Sequence, residues 1–276
     1  MFAFLRDGDS VSVEEADRDQ FTLTGPFAEA LSGEGNNLVL AARDAFAAAH
    51  GSLPPLSITL DKHLPVASGI GGGSADAAAT LRALARLKGI DPAGLAGVAL
   101  ELGSDVPACL LGKSAVGEGR GEKLKPVDGL SGIAVLLVNP GLAVSTAAVF
   151  RGWDGIDRGA LLPGHPGLVP GSTVPPTPND GAVLHGGCRD EPGMTEWLGV
   201  AMEGRNDLEA PAREVAPVIG AVVDLLHAQA GVILARMSGS GATCFALFDS
   251  QIARTAARHA IAAAQPDWWC LESTLA

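Results

Sequence analysis

The chain has 276 residues, room for one or two ordinary domains, and its 47% hydrophobic and 18% charged residues suffice for a buried core. With 31 Asp and Glu against 19 Lys and Arg, the net charge of −12 excludes the basic face that a nucleic-acid surface requires. No uninterrupted apolar run reaches the roughly 18 residues of a membrane span, so neither nucleic acid nor membrane is an expected partner and the cytoplasm is the expected location. The four cysteines, Cys109, Cys188, Cys244 and Cys270, lie far apart without C-x-x-C spacing, which argues against a zinc site or a disulfide framework. Cys109 and Cys244 are expected as buried small hydrophobes.

In chain order, Val11 to Val13 and Phe21 to Leu23 alternate as short strands. Asn37 opens a stretch of helical spacing to Phe46, and Leu56 to Leu60 alternates as a half-buried strand. Lys62 and His63 are expected as a solvated strand end. A glycine loop follows and runs into a helix with Leu81, Leu84 and Leu87 on one face. Asp91-Pro92 starts the next helix, which Gly103 stops after Leu102. Ile133 to Val138 is an apolar β-type run that opens a second domain. From Gly152 to Pro192 a Gly- and Pro-rich stretch without apolar period is expected to be a mobile surface insertion. Beyond it come helices at Leu208–Val215 and Val218–Ala228, strands at Val232–Met237 and Cys244–Phe248, and a helix at Ile252–Ala264. This irregular mixture favours α+β over a doubly wound sheet, with domains expected at 1–130 and 131–276.

Two glycine clusters carry most of the functional information: Ser68-Gly69-Ile70-Gly71-Gly72-Gly73-Ser74-Ala75-Asp76 and Met237-Ser238-Gly239-Ser240-Gly241-Ala242-Thr243. Glycines interleaved with small hydroxyl residues let bare backbone N–H groups curl around an anion. The first cluster also aims the positive end of a helix at whatever sits in the loop, which points to phosphate. It is neither a Walker loop, which ends in Gly-Lys-Ser/Thr, nor the dinucleotide fingerprint G-x-G-x-x-G. A bland alternative stands beside each reading: a tight strand-to-helix turn capped by Ser74 or Asp76, and a hairpin turn for the second cluster. Asp105, between Gly103 and Pro107, is either a carboxylate projecting into a cleft or an N-cap. Asn37 before an apolar helix is a cap or a nucleotide contact.

The run Pro65-Val66-Ala67-Ser68-Gly69-Ile70-Gly71-Gly72-Gly73-Ser74-Ala75-Asp76-Ala77-Ala78 resembles the phosphate loop of the GHMP kinases, the superfamily of galactokinase, homoserine kinase and mevalonate kinase. The triple glycine and the Ser-x-Asp-Ala-Ala tail look most like the branch whose acceptor is a cytidine-diphosphate sugar alcohol of the non-mevalonate isoprenoid route. Leu102-Gly103-Ser104-Asp105-Val106-Pro107-Ala108-Cys109 with Gly117 to Glu122, then Arg205-Asn206-Asp207-Leu208-Glu209, then Ala235 to Phe248 resemble further motifs of that branch in the same order.

The resemblance implies an α+β fold of two domains, the first like domain 2 of ribosomal protein S5 and the second ferredoxin-like, with the active site between them. It implies ATP-dependent phosphorylation of a hydroxyl, with ATP and Mg²⁺ as cofactors. Asp105 is then the residue that orients or deprotonates the acceptor. Pro65, Ala67, Ser68, Gly69, Ile70, Gly71, Gly72, Gly73, Ser74 and Asn37 hold the nucleotide, with Ser74 a possible metal ligand. Thr146, Gly239, Ser240 and Gly241 lie near the substrate. Family members begin with Pro-x-Lys-Ile-Asn-Leu followed by Gly-Tyr-His, which this sequence of no tyrosine does not contain; a start assigned too far downstream is the expected explanation. Without that segment, a homoserine- or mevalonate-type kinase and a non-catalytic nucleotide-binding homologue remain open, as do monomer and homodimer.

Overall fold

The computed structural model describes residues 1–33, 37–119, 121–156 and 194–276. The N-terminal half is built on three strands. β1 (Ser10–Glu15) pairs antiparallel, and β2 (Gln20–Thr24) parallel, with the central β3 (Leu56–Asp61). A parallel pair needs a crossover, which α1 (Leu38–His50) supplies. The alternation of Leu56, Ile58 and Leu60 turns those side chains inward. There they pack with Val39, Ala42 and Phe46 of α1 and with Leu81, Leu84 and Ala85 of α2 (Gly72–Lys88). The helix expected from Asp91 is split. Asp91 caps by accepting from the Ala93 N–H, Pro92–Leu95 make a 3-10 turn, and α3 (Ala96–Leu102) is the α-helical part. α4 (Val106–Leu111) and a two-stranded ribbon of β4 (Ala115–Glu118) and β5 (Lys123–Pro126) follow.

The expected division near residue 130 falls between β5 and β6 (Ala134–Asn139), and an apolar cluster of Val116, Val127, Leu130, Ile133, Val135 and Leu234 spans it. β6 is buried along its whole length. It is followed by α5 (Thr146–Gly152), α6 (Met194–Glu203), α7 (Glu209–Val215), α8 (Val218–His227), β7 (Val232–Met237), β8 (Cys244–Phe248), α9 (Gln251–Ala264) and β9 (Trp269–Thr274). The strands lie in the order β7-β8-β6-β9, every pair antiparallel. That is the ferredoxin-like order, so the molecule is α+β in two parts as expected. Residues 157–193, and with them nearly all of the expected insertion and Cys188, lie outside the described residues.

The start of the chain runs along the last strand. The Arg6 N–H donates to the Thr274 carbonyl and the Ala276 N–H to the Phe4 carbonyl. Phe2 bridges to Ala115 at the ribbon. This short segment therefore touches both halves of the molecule before β1 begins.

Candidate active site

The phosphate-type loop is wound by residues in the left-handed region: Ala67 at φ 52°, Gly69 at 76° and Gly71 at 68°. The Ser68 hydroxyl donates to the Pro65 carbonyl at 2.6 Å and closes the turn. Gly71 is the N-cap of α2, and the helix begins at Gly72. Neither Ser74 nor Asp76 caps it, because both already lie inside the helix. The first turn is Gly72, Gly73 and Ser74, whose N–H groups have no carbonyl one turn earlier to bond. These donors and the helix dipole point the same way.

The second cluster is the six-residue connection of the β7–β8 hairpin, so the bland reading of a hairpin turn is correct, and the loop has a further use. The Ser238 hydroxyl donates to the Gly69 carbonyl at 3.0 Å, and the Thr243 N–H donates to the Ser68 carbonyl at 3.1 Å. A Cβ added at Gly69 would lie 2.5 Å from the Gly241 carbonyl oxygen. The two clusters thus meet backbone to backbone, at a distance only glycine permits. Behind this contact, the Asn206 amide donates to the carbonyls of Met237 at 3.1 Å and Gly239 at 2.7 Å. Glu209 accepts the Met237 N–H at 3.2 Å, and Asn139 donates to the Thr243 hydroxyl at 2.8 Å.

A cavity of about 1320 Å³ opens at this junction. Its polar side is formed by Gly69 to Gly72, by Asp76 and Arg82 on one face of α2, by Asp105, and by Ser238 and Gly239 of the second loop. Phe2, Phe4, Val135, Leu137, Leu234 and Phe245 form an apolar side. Asp105 is exposed at the head of α4 and makes no side-chain capping bond, so the cap reading is not realised, and the residue lines the opening. Arg82 donates to the Cys109 carbonyl at 2.6 Å and fixes α4 beneath it.

The other expected site residues are placed as follows. Gly73 and Ser74 sit in the first turn of α2, away from the cavity lining, with Gly73 close to Leu38 at the start of α1. Asn37 caps α1 by accepting the Val39 N–H at 2.9 Å. The Thr146 and Ser240 hydroxyls bond to each other at 2.9 Å, and neither they nor Gly241 line the cavity. Pro65 and Ala67 shape the turn from outside it. Among the described residues no group of three His, Cys, Asp or Glu side chains could hold a metal by itself.

The expectation of a solvated strand end holds for His63, which is exposed and pairs with Asp61 at 2.8 Å, and fails for Lys62. Lys62 is only 2% exposed. Its ammonium lies 2.6 Å from Asp9 Oδ2 and 2.7 Å from Asp76 Oδ2. Asp9 Oδ1 also accepts the N–H groups of His63 at 2.6 Å and Leu64 at 2.8 Å. Burial pushes the Asp76 carboxyl up to about 6, Asp9 adds to the rise, and Lys62 opposes it. The signal was present in β3: Leu56, Ile58 and Leu60 face inward, and Lys62 is the next residue in that alternation. Cys109 and Cys244 are buried as expected, their thiols pushed up to about 12 by burial.

Residues 37–113 match the GHMP kinases N terminal domain and residues 192–267 the GHMP kinases C terminal domain. The chain belongs to the GHMP kinase family. Within it, the chain is 48% identical to a 4-diphosphocytidyl-2-C-methyl-D-erythritol kinase of Rhizorhabdus wittichii, covering 100% of this chain and 85% of the relative. It is 42% identical to one of Chelativorans sp., covering 98% and 84%. Among solved structures, a 4-(cytidine 5'-diphospho)-2C-methyl-D-erythritol kinase superposes with a TM-score of 0.66 at 30% identity, covering 97% of this chain and 85% of that one. Homoserine kinase of Cytophaga hutchinsonii shares the fold, with a TM-score of 0.63 at 20% identity over 98% of this chain and 87% of that one.

Proposed function

We propose that this chain phosphorylates the 2-hydroxyl of 4-diphosphocytidyl-2-C-methyl-D-erythritol with ATP. The meeting of the two glycine clusters carries the reading, because it puts free backbone N–H groups, a helix N-terminus and the uncapped Asp105 around one opening. The names of the relatives supply the acceptor. Phosphoryl transfer asks a protein mainly for position and charge stabilisation. Gly69 to Gly72 hold the triphosphate, and Ser238 and Gly239 close over the transferred group. Asp105 takes the proton of the acceptor hydroxyl as its oxygen bonds to the γ-phosphorus, and the bond to the bridging oxygen breaks to leave ADP.

Mg²⁺ fits a site of hard oxygen donors, with Asp105 as the protein group at the opening that would reach it and phosphate and water the remaining ligands; Ser74, expected as a possible ligand, lies in α2 away from the cavity lining. When bound it neutralises charge on the phosphates. The cavity exceeds the roughly 300–1,000 Å³ typical of a single small ligand, leaving room for a nucleotide and an acceptor together.

The test is ADP release by the purified chain with ATP, Mg²⁺ and the acceptor, compared with Asp105→Asn. Acceptor-dependent turnover that the substitution removes supports the assignment. Turnover with homoserine or mevalonate in its place, or none with any acceptor, overturns it.

A further inference from the structure

Three buried charged groups take no part in the chemistry above: Asp9, Lys62 and Asp76. Burying an ammonium and two carboxylates is costly even when all are paired, so their position calls for a reason. A Cβ built at Gly72 would lie 3.2 Å from Lys62 Nζ and 3.6 Å from Asp9 Oδ2. The cluster therefore sits directly beneath the first residue of α2, one of the residues whose N–H is free for an anion. Two carboxylates there oppose the binding of phosphate, and the ammonium between them cancels part of that charge.

The cluster also joins three separate segments. Asp76 belongs to α2, and Lys62 follows the last residue of β3. Asp9 follows closely on Asp7, whose carboxylate accepts the Ser273 hydroxyl of β9 at 2.8 Å. Through Asp9 the loop is thus tied to the chain that runs along the C-terminal sheet, the sheet that carries Ser238 and Gly239.

We propose that Lys62 is a positioning residue for the phosphate loop: by bridging Asp9 and Asp76 it holds the first turn of α2 in place and neutralises carboxylate charge beneath the nucleotide phosphates. This rests on the nucleotide reading given above. The test is calorimetric titration with the β,γ-imido analogue of ATP of the wild type, Lys62→Met, Asp76→Asn and the double variant. Lys62→Met is expected to weaken binding by about tenfold or more, and adding Asp76→Asn to recover the part of the loss that is due to charge, while the part due to the lost bridge remains. Asp76→Asn alone is expected to bind about threefold more tightly, since it removes one of the opposing charges.

Rescue by a second loss of charge is not what a packing role alone would produce. Binding by Lys62→Met within about twofold of wild type, or a double variant no better than Lys62→Met, overturns the proposal. Should Lys62→Met fail to fold, weaker binding by Asp76→Asn alone overturns it. A wild type that binds no analogue removes the nucleotide reading itself, and this inference with it.

Discussion

The Ser238 hydroxyl donates to the Gly69 carbonyl across 3.0 Å, joining two glycine loops that are far apart in sequence. Gly69 has φ 76°, and a Cβ there would meet Gly241 and Ser238 backbone atoms at 2.5 to 2.8 Å. Backbone cannot give way as a flexible side chain does. Gly71 has φ 68° and nothing within 4 Å of such a Cβ.

The two glycines therefore separate strain from contact. Gly71→Ala is expected to cost only the left-handed strain, about 1–2 kcal/mol. Gly69→Ala is expected to cost at least about 2 kcal/mol more by adding a backbone clash. Urea unfolding of both variants measures the difference, and equal losses would mean that the loops do not press together at Gly69.

Asp105 occupies the cap position of α4 without capping it. A lost N-cap typically costs about 1 kcal/mol. Asp105→Ala is instead expected to leave stability within about 0.5 kcal/mol of wild type while lowering kcat by about 10²-fold or more, as loss of a positioned base does. A drop in thermal stability with full turnover would return Asp105 to the role of a cap.

Asn206 is the splint of the second loop, donating to Met237 and Gly239 and accepting the Leu208 N–H at 3.0 Å. Asn206→Ala leaves two carbonyls and an N–H unpaired at once, with an expected loss of about 2–3 kcal/mol. Because the distortion falls on Gly239, ATP affinity should fall as well. Chemical denaturation and nucleotide titration of one preparation test both effects, and a variant as stable as wild type would show that water replaces the amide.

Much of this was legible from local pattern. The alternation in Leu56 to Leu60, the cap at Asn37 and the Gly103 stop each depend on neighbouring residues, and each has its counterpart in the structure. What local pattern does not carry is the pairing of distant segments. β9 was not expected because Trp269 to Thr274 is only partly buried and becomes a strand by pairing with β6. β4 and β5 are four residues each, too short to show a period. The loops announced their glycines, yet not their contact with each other. Lys62 reads as solvated in the sequence because a charged residue suggests solvent unless its partners are known, and Asp9 lies on a distant segment.

The Asp76 carboxyl gives the pH dependence of stability an unusual component. Its folded value of about 6 lies above the ordinary 3.8 because burial disfavours the charged form. The native state then binds this proton more tightly than the unfolded chain does. Stability from Asp76 is full below pH 4 and is lost as pH rises from about 4 to 6, by an amount on the order of 3 kcal/mol. Most carboxylates act in the opposite direction over this range, so the effect is isolated by comparison with Asp76→Asn. The wild type's stability relative to Asp76→Asn should fall between pH 4 and 6 and stay level above 7, as read from urea unfolding at each pH. A difference that instead stays level over that interval and falls off only below pH 4 would mean that Lys62 outweighs burial and holds Asp76 ionised.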